Sequence, residues 1–180
     1  MPGGIAVVVM ALLAVLAFGV ANDGSSPGLV GQVIRGNRPE APASSMLLPV
    51  LGGGGRTQAL RSMRGKALLI NFYAGWCDAC QDEAPLLRRA QTELEAHGGT
   101  VLGVTFDDGA ADAQSYLNHN HLSFPVLRDP TGSFASAYGV NLVPDTVLVN
   151  AAGLVVAVSD GEITGSWLKR NLSKALADPA

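Results

Sequence analysis

The apolar positions of this chain fall into runs of different spacing, and each spacing predicts a different element. The first run carries no charge at all: IAVVVMALLAVLAFGVA, Ile5 to Ala21. As a helix it spans roughly 25 Å at about 1.5 Å per residue. That is slightly short of a hydrocarbon core and slightly long for the apolar part of a signal peptide. No Lys or Arg precedes it, and Gly19-Val20-Ala21 has the small-x-small character of a cleavage site. Residues 1–21 are therefore read as an export signal, either a signal anchor or a cleaved signal peptide. Both readings place the rest of the chain outside the cytoplasm. Residues 22–45, rich in Gly, Pro and Ser and without a sustained period, are expected to form a flexible linker.

Order is expected from Met46, in one domain over residues 46–178. MLLPVL and RTQALRSM flank Gly52 to Gly55, which fits a hairpin of short edge strands. KALLINFYA, Lys66 to Ala74, is apolar for most of its length and reads as a central strand buried on both faces. A helix then starts at the cysteines, where Ala84, Leu87, Ala90 and Leu94 recur at helical spacing. Pro85 lies inside it, and Gly98-Gly99 ends it. TVLGVTF (100–106) is a second buried strand, and 111–120 a moderate helix. SFPVLRD adds a short extended piece and TGSFASAYGV a short helix. Strands near 145–150 and 154–158 form a hairpin around Ala151-Ala152-Gly153. The last helix gathers Leu168, Leu172, Ala175 and Leu176 on one face. This order predicts an α/β sandwich with a parallel portion and an antiparallel hairpin at one edge.

Composition changes this picture little. Of 180 residues 48% are hydrophobic and 15% charged, with a net charge of −3. There is no basic cluster of the kind that binds nucleic acid.

Candidate chemistry is concentrated in AGWCDACQDEAP, residues 74–85, which holds both cysteines of the chain. A structural zinc site needs about four N or S ligands. His97, His119 and His121 lack the spacing to complete one. A static disulfide across so short a loop restricts the unfolded chain little. Placement at the start of a helix has a physical use instead. The helix dipole and free N–H groups there stabilise a thiolate, which lets Cys77 attack a disulfide near neutral pH. Cys80, one turn on, can resolve the mixed disulfide, and Trp76 can cover the pair with apolar surface. Asp78, between the cysteines, places a negative charge beside Cys77. It tilts the pair towards the oxidised form, and so towards a reductant. The paired carboxylates Asp107-Asp108 are read as a solvated loop, and no metal is assigned to them.

Strand-WCxxC-helix is the thioredoxin-like signature. The finer pattern resembles the TlpA/ResA/CcmG group of membrane-tethered thiol–disulfide oxidoreductases. The matching residues are Ala41-Pro42, Leu48-Pro49, Leu51-Gly52, Leu60, Arg64-Gly65-Lys66, Asn71-Phe72, Ala74, Trp76-Cys77, Cys80, Glu83, Pro85 and Leu86. YGVNLVPDTVLVNAAGLVV is similar to that group's cis-proline strand and hairpin. Tyr73 stands where the group often has Trp, and Asp145 where it has Thr or Glu.

The resemblance implies a thioredoxin-like three-layer sandwich with a mixed central sheet and an N-terminal β-hairpin. It implies a redox-active pair Cys77/Cys80, with Pro144 cis and facing Cys77, and Trp76, Val143 and Pro144 contacting substrate. It places Glu83 in or near the active-site cavity, where a partly buried carboxylate exchanges a proton with Cys80. Spacing alone favours a surface helix charge beside Asp82, and the resemblance reverses that. No cofactor is implied. The implied partners are protein disulfides such as those of apocytochrome c, and a membrane thiol donor of the DsbD/CcdA kind. An oxidase or isomerase, peroxidase chemistry and a metal-handling or scaffold protein without turnover are the competing readings.

Overall fold

The computed structural model of the chain describes residues 28–177. The apolar run over residues 1–21 and the first part of the expected linker lie outside them. Among the described residues no helix is long and apolar enough to cross a membrane.

The scaffold of the site is a five-stranded sheet in the order β5-β4-β3-β6-β7. Its strands are β3 (Leu68–Tyr73), β4 (Thr100–Phe106), β5 (Val126–Asp129), β6 (Asp145–Val149) and β7 (Val155–Asp160). The first three are mutually parallel, and β6 and β7 add as an antiparallel hairpin beside β3. Every residue of β3 is buried, as expected for a strand covered on both faces. Its side chains alternate between two cores. Leu69 and Tyr73 meet α2 (Asp78–Glu95), α3 (Ala110–His119) and α5 (Gly165–Leu176). Leu68, Ile70 and Phe72 meet α4 (Ser133–Tyr138) and the N-terminal segment. The expected three-layer sandwich with a mixed sheet is the one observed.

The long helix α2 forms on the predicted face. Ala84, Leu87, Ala90 and Leu94 are all fully buried. Burial of a side chain such as Leu87 contributes roughly 1.5–3 kcal/mol relative to exposure. Pro85 is exposed and the helix runs through it, though its missing N–H leaves the Gln81 carbonyl without a helical donor. Gly98, at φ +75°, turns the chain in the left-handed region beyond the helix end.

The N-terminal hairpin is present as β1 (Leu48–Pro49) and β2 (Thr57–Gln58), paired antiparallel. The expectation of a flexible linker over 22–45 is corrected from residue 28 onward. Leu29–Ile34 form a helix, α1, and Leu29 and Ala41 are buried in the core that contains Ile70 and Phe72. The Ala41 N–H donates to the Gly153 carbonyl at 2.9 Å, and the Val155 N–H donates to the Pro39 carbonyl at 2.8 Å. The few apolar residues in this Gly- and Pro-rich stretch find a groove on the sheet. The backbone of 39–41 supplies partners that the start of β7 would otherwise lack. The folded unit therefore begins well before Met46.

Candidate active site

The active segment follows from where β3 ends. After Tyr73 the chain turns through Ala74, Gly75 and Trp76, and Cys77 becomes the N-cap of α2. Gly75 sits close to α3: a Cβ there would lie 2.7 Å from the Asp112 carbonyl oxygen, so only glycine permits the approach. Asp108 fixes the turn by accepting the Gly75 N–H at 2.7 Å. The Trp76 indole N–H donates to the Asp107 carbonyl at 3.1 Å. Trp76 is thereby held while remaining 57% exposed. It borders a groove of about 500 Å³ whose walls include Gln81, Asp112, Tyr116 and His119.

Cys77 and Cys80 form a disulfide. Cys77 is 5% exposed and Cys80 fully buried, so an incoming group reaches Cys77 first. The backbone N–H of Cys80 donates to Cys77 Sγ at 3.1 Å. In the reduced protein the same N–H would face a thiolate, which it stabilises together with the helix dipole. From the opposite side the Val143 carbonyl lies 3.6 Å from Cys77 Sγ, and the Val143–Pro144 peptide is cis. The structure thus brings Trp76, Cys77, Cys80, Val143 and Pro144 to one place, at the carboxyl ends of the parallel strands.

Glu83 is buried, with 1% of its surface exposed. It accepts hydrogen bonds from Asn71 Nδ2 at 2.6 Å and from the Ile163 N–H at 3.2 Å. Burial pushes its carboxyl up to about 7. The two hydrogen bonds oppose that rise, while the negative charges of Glu162 and Asp145 add to it. Asp145 is half-buried, and burial pushes it up to about 6 even though the Gly161 N–H donates to it at 2.8 Å. The loop between β7 and α5 is therefore held by two carboxylates, Asp145 at Gly161 and Glu83 at Ile163. Cys80 is tied from α3, since the Tyr116 hydroxyl donates to its carbonyl at 2.8 Å. Tyr116 also stacks on Tyr73, with ring centroids 4.6 Å apart.

Three features escape the sequence reading. Asn71 supports Glu83, and its signal was its place as a lone amide in the apolar run LLINFY. Tyr116 anchors Cys80, and nothing in the modest periodicity of residues 111–120 marked it. Asp107 and Asp108 hold the Trp76 turn through a carbonyl and a carboxylate, where a solvated acidic pair was expected. Their signal was position alone, directly after the strand that neighbours β3.

The profile of the AhpC/TSA family matches residues 39–158. A thiol-disulfide oxidoreductase ResA from Halalkalibacterium halodurans is 29% identical over 61% of this chain and 62% of its own length; the chain thus spans less than two thirds of that relative. Among solved structures, a Chlorobium tepidum chain assigned as a thiol:disulfide interchange protein DsbE is 27% identical, with a TM-score of 0.68 over 77% of this chain and 96% of that one. The MTB protein dsbF, solved in mixed oxidized and reduced forms, is also 27% identical, with a TM-score of 0.65 over 74% of this chain and 96% of that one.

Proposed function

The chain belongs to the AhpC/TSA family, and on that premise we propose that it is an extracytoplasmic thiol–disulfide oxidoreductase that reduces protein disulfides. The observation that carries the reading is the position of Cys77 Sγ. It sits at a helix N-terminus under the Cys80 N–H, with the Val143 carbonyl 3.6 Å away. An extended partner segment can pair beside the backbone of Val143 and Pro144 and bring its own sulfur in line with Cys77.

The reaction balances without a cofactor. The Cys77 thiolate attacks one sulfur of the partner disulfide, whose other sulfur leaves and takes a proton. Cys80 then loses its proton to Glu83, one turn further along α2. The Cys80 thiolate attacks Cys77, and the second partner sulfur departs as a thiolate that takes a proton from solvent, to which Glu83 returns its own. The partner gains two electrons and the pair closes as the disulfide seen here. Two electrons from a membrane thiol donor of the DsbD/CcdA kind restore the dithiol. By family resemblance the substrates are the cysteines of apocytochrome c during cytochrome c maturation, and residues 1–21 anchor the domain to the membrane or are removed on export. Trp76, Val143 and Pro144 contact the substrate, Cys77 and Cys80 exchange the disulfide, and Glu83 moves the proton.

The test is in-cell thiol trapping with Cys80→Ala. Capture of an apocytochrome c on Cys77 is the expected result. Capture of assorted exported proteins would make the role general. No capture, with the wild-type pair permanently oxidised, would refute the reductant.

A further inference from the structure

The buried Glu83 carboxyl shares a hydrogen bond with a side chain from the central strand. Asn71 on β3 is fully buried. Its Nδ2 donates to two acceptors, Glu83 Oε1 at 2.6 Å and Thr146 Oγ1 at 3.1 Å. Thr146 is the Cα partner of Asn71 across the β3–β6 pairing and follows Pro144 by two residues. The remaining amide atom, Asn71 Oδ1, is buried without a hydrogen-bond partner. A buried acceptor left empty is costly and calls for an explanation.

We propose that the Asn71 amide is a two-position donor–acceptor that holds Glu83 in either proton state and ties that state to Thr146. An ionised carboxylate only accepts, so the observed arrangement serves it: both amide hydrogens are used and Oδ1 is idle. A protonated carboxyl must donate. A half-turn of the amide puts Oδ1 where Nδ2 stood. There it accepts from the Glu83 O–H and from the Thr146 hydroxyl, which can donate or accept. Each state keeps two hydrogen bonds and leaves one amide atom idle. Taking up a proton then turns the amide and reverses the Thr146 hydroxyl, on the strand that starts beside Cys77.

The other groups facing Glu83 do not duplicate this role. The Ile163 N–H bonds the second carboxylate oxygen, Oε2. Asp145 on β6 and Glu162 before α5 act on it only as negative charges. Tyr116 faces it from α3 with its hydroxyl committed to the Cys80 carbonyl. Asn71 is thus a positioning residue acting through Glu83. Its effect on the thiol rests on the proposed proton transfer between Glu83 and Cys80.

The test is an NMR titration of the oxidised full-length chain, in which neither sulfur titrates. The Asn71 side-chain amide signals should move with the same midpoint as the Glu83 carboxyl, and Glu83→Gln should flatten them. Asn71→Leu should raise the Glu83 midpoint only by the margin between the charge-assisted bond to the carboxylate and the bond to the carboxyl, less than about one pH unit. Asn71 signals that stay still through the Glu83 midpoint would overturn the proposal without any variant having to fold, and a rise of several pH units in folded Asn71→Leu would mark a fixed donor to the carboxylate and overturn it too. Alkylation of Cys80 in reduced Cys77→Ala, followed against pH, separates the two ideas. If Asn71 and Glu83 titrate together but Cys80 ignores them, the coupling stands and the proton transfer falls.

Discussion

Replacing Glu83 by Gln should change the pH dependence of folding in a direction opposite to that of a salt-bridged carboxylate. At about 1.4 kcal/mol per pH unit, moving a carboxyl from an ordinary 4.5 to about 7 corresponds to about 3 kcal/mol. The folded protein holds this proton more tightly than the unfolded chain does. The contribution is therefore fully present below about pH 4.5, declines as pH rises, and is gone above about 7. Glutamine is neutral throughout and removes the dependence. Asp145 titrates in both proteins and drops out of the difference. Denaturant unfolding of the oxidised wild type and Glu83→Gln, from pH 4.5 to 8.5, should show the wild type losing about 3 kcal/mol relative to the variant. A difference that stays constant across this window would refute the reasoning. It would mean that the hydrogen bonds from Asn71 and Ile163 compensate the burial of the charge in full.

Gly75→Ala should push the Trp76 turn away from α3, because the new Cβ would meet the Asp112 carbonyl at 2.7 Å. A loss of about 1–3 kcal/mol in thermal unfolding and slower disulfide reduction are expected together. Tyr116→Phe removes the hydrogen bond to the Cys80 carbonyl but keeps the stack on Tyr73. Denaturant titration should show a cost of about 1 kcal/mol. Leu87→Ala opens a cavity between α2 and the sheet and should cost about 2–5 kcal/mol, read the same way.

The sequence showed most clearly what rests on period and on motif. The continuous apolar run ending at Tyr73, the helical spacing of Ala84, Leu87, Ala90 and Leu94, and the turn at Ala151-Ala152-Gly153 each correspond to an observed element. The cysteine spacing likewise predicted which residues meet at the helix N-terminus. What stayed hidden depends on contacts between segments distant in the chain. Asn71 meets Glu83 and Thr146 across three elements. Asp108 reaches back to Gly75 across neighbouring strands. Neither pairing leaves a periodic trace. Residues 28–45 have the composition of a linker because Gly and Pro report backbone freedom, whereas Leu29 and Ala41 are held by a surface formed from residues far downstream.

That N-terminal segment also bears on how copies of the chain behave towards one another. The sheet has two outer strands, β5 and β7, and an outer strand with free N–H and C=O groups is a template for strand addition by another molecule. Residues 39–41 pair with the start of β7. Val50 and Leu51 pair with Val126 and Leu127 of β5. One stretch of chain covers the start of both rims. A fragment cut at residue 46 would keep its guard on β5 and lose the one on β7, so the choice of where to begin the domain is also a choice about self-assembly.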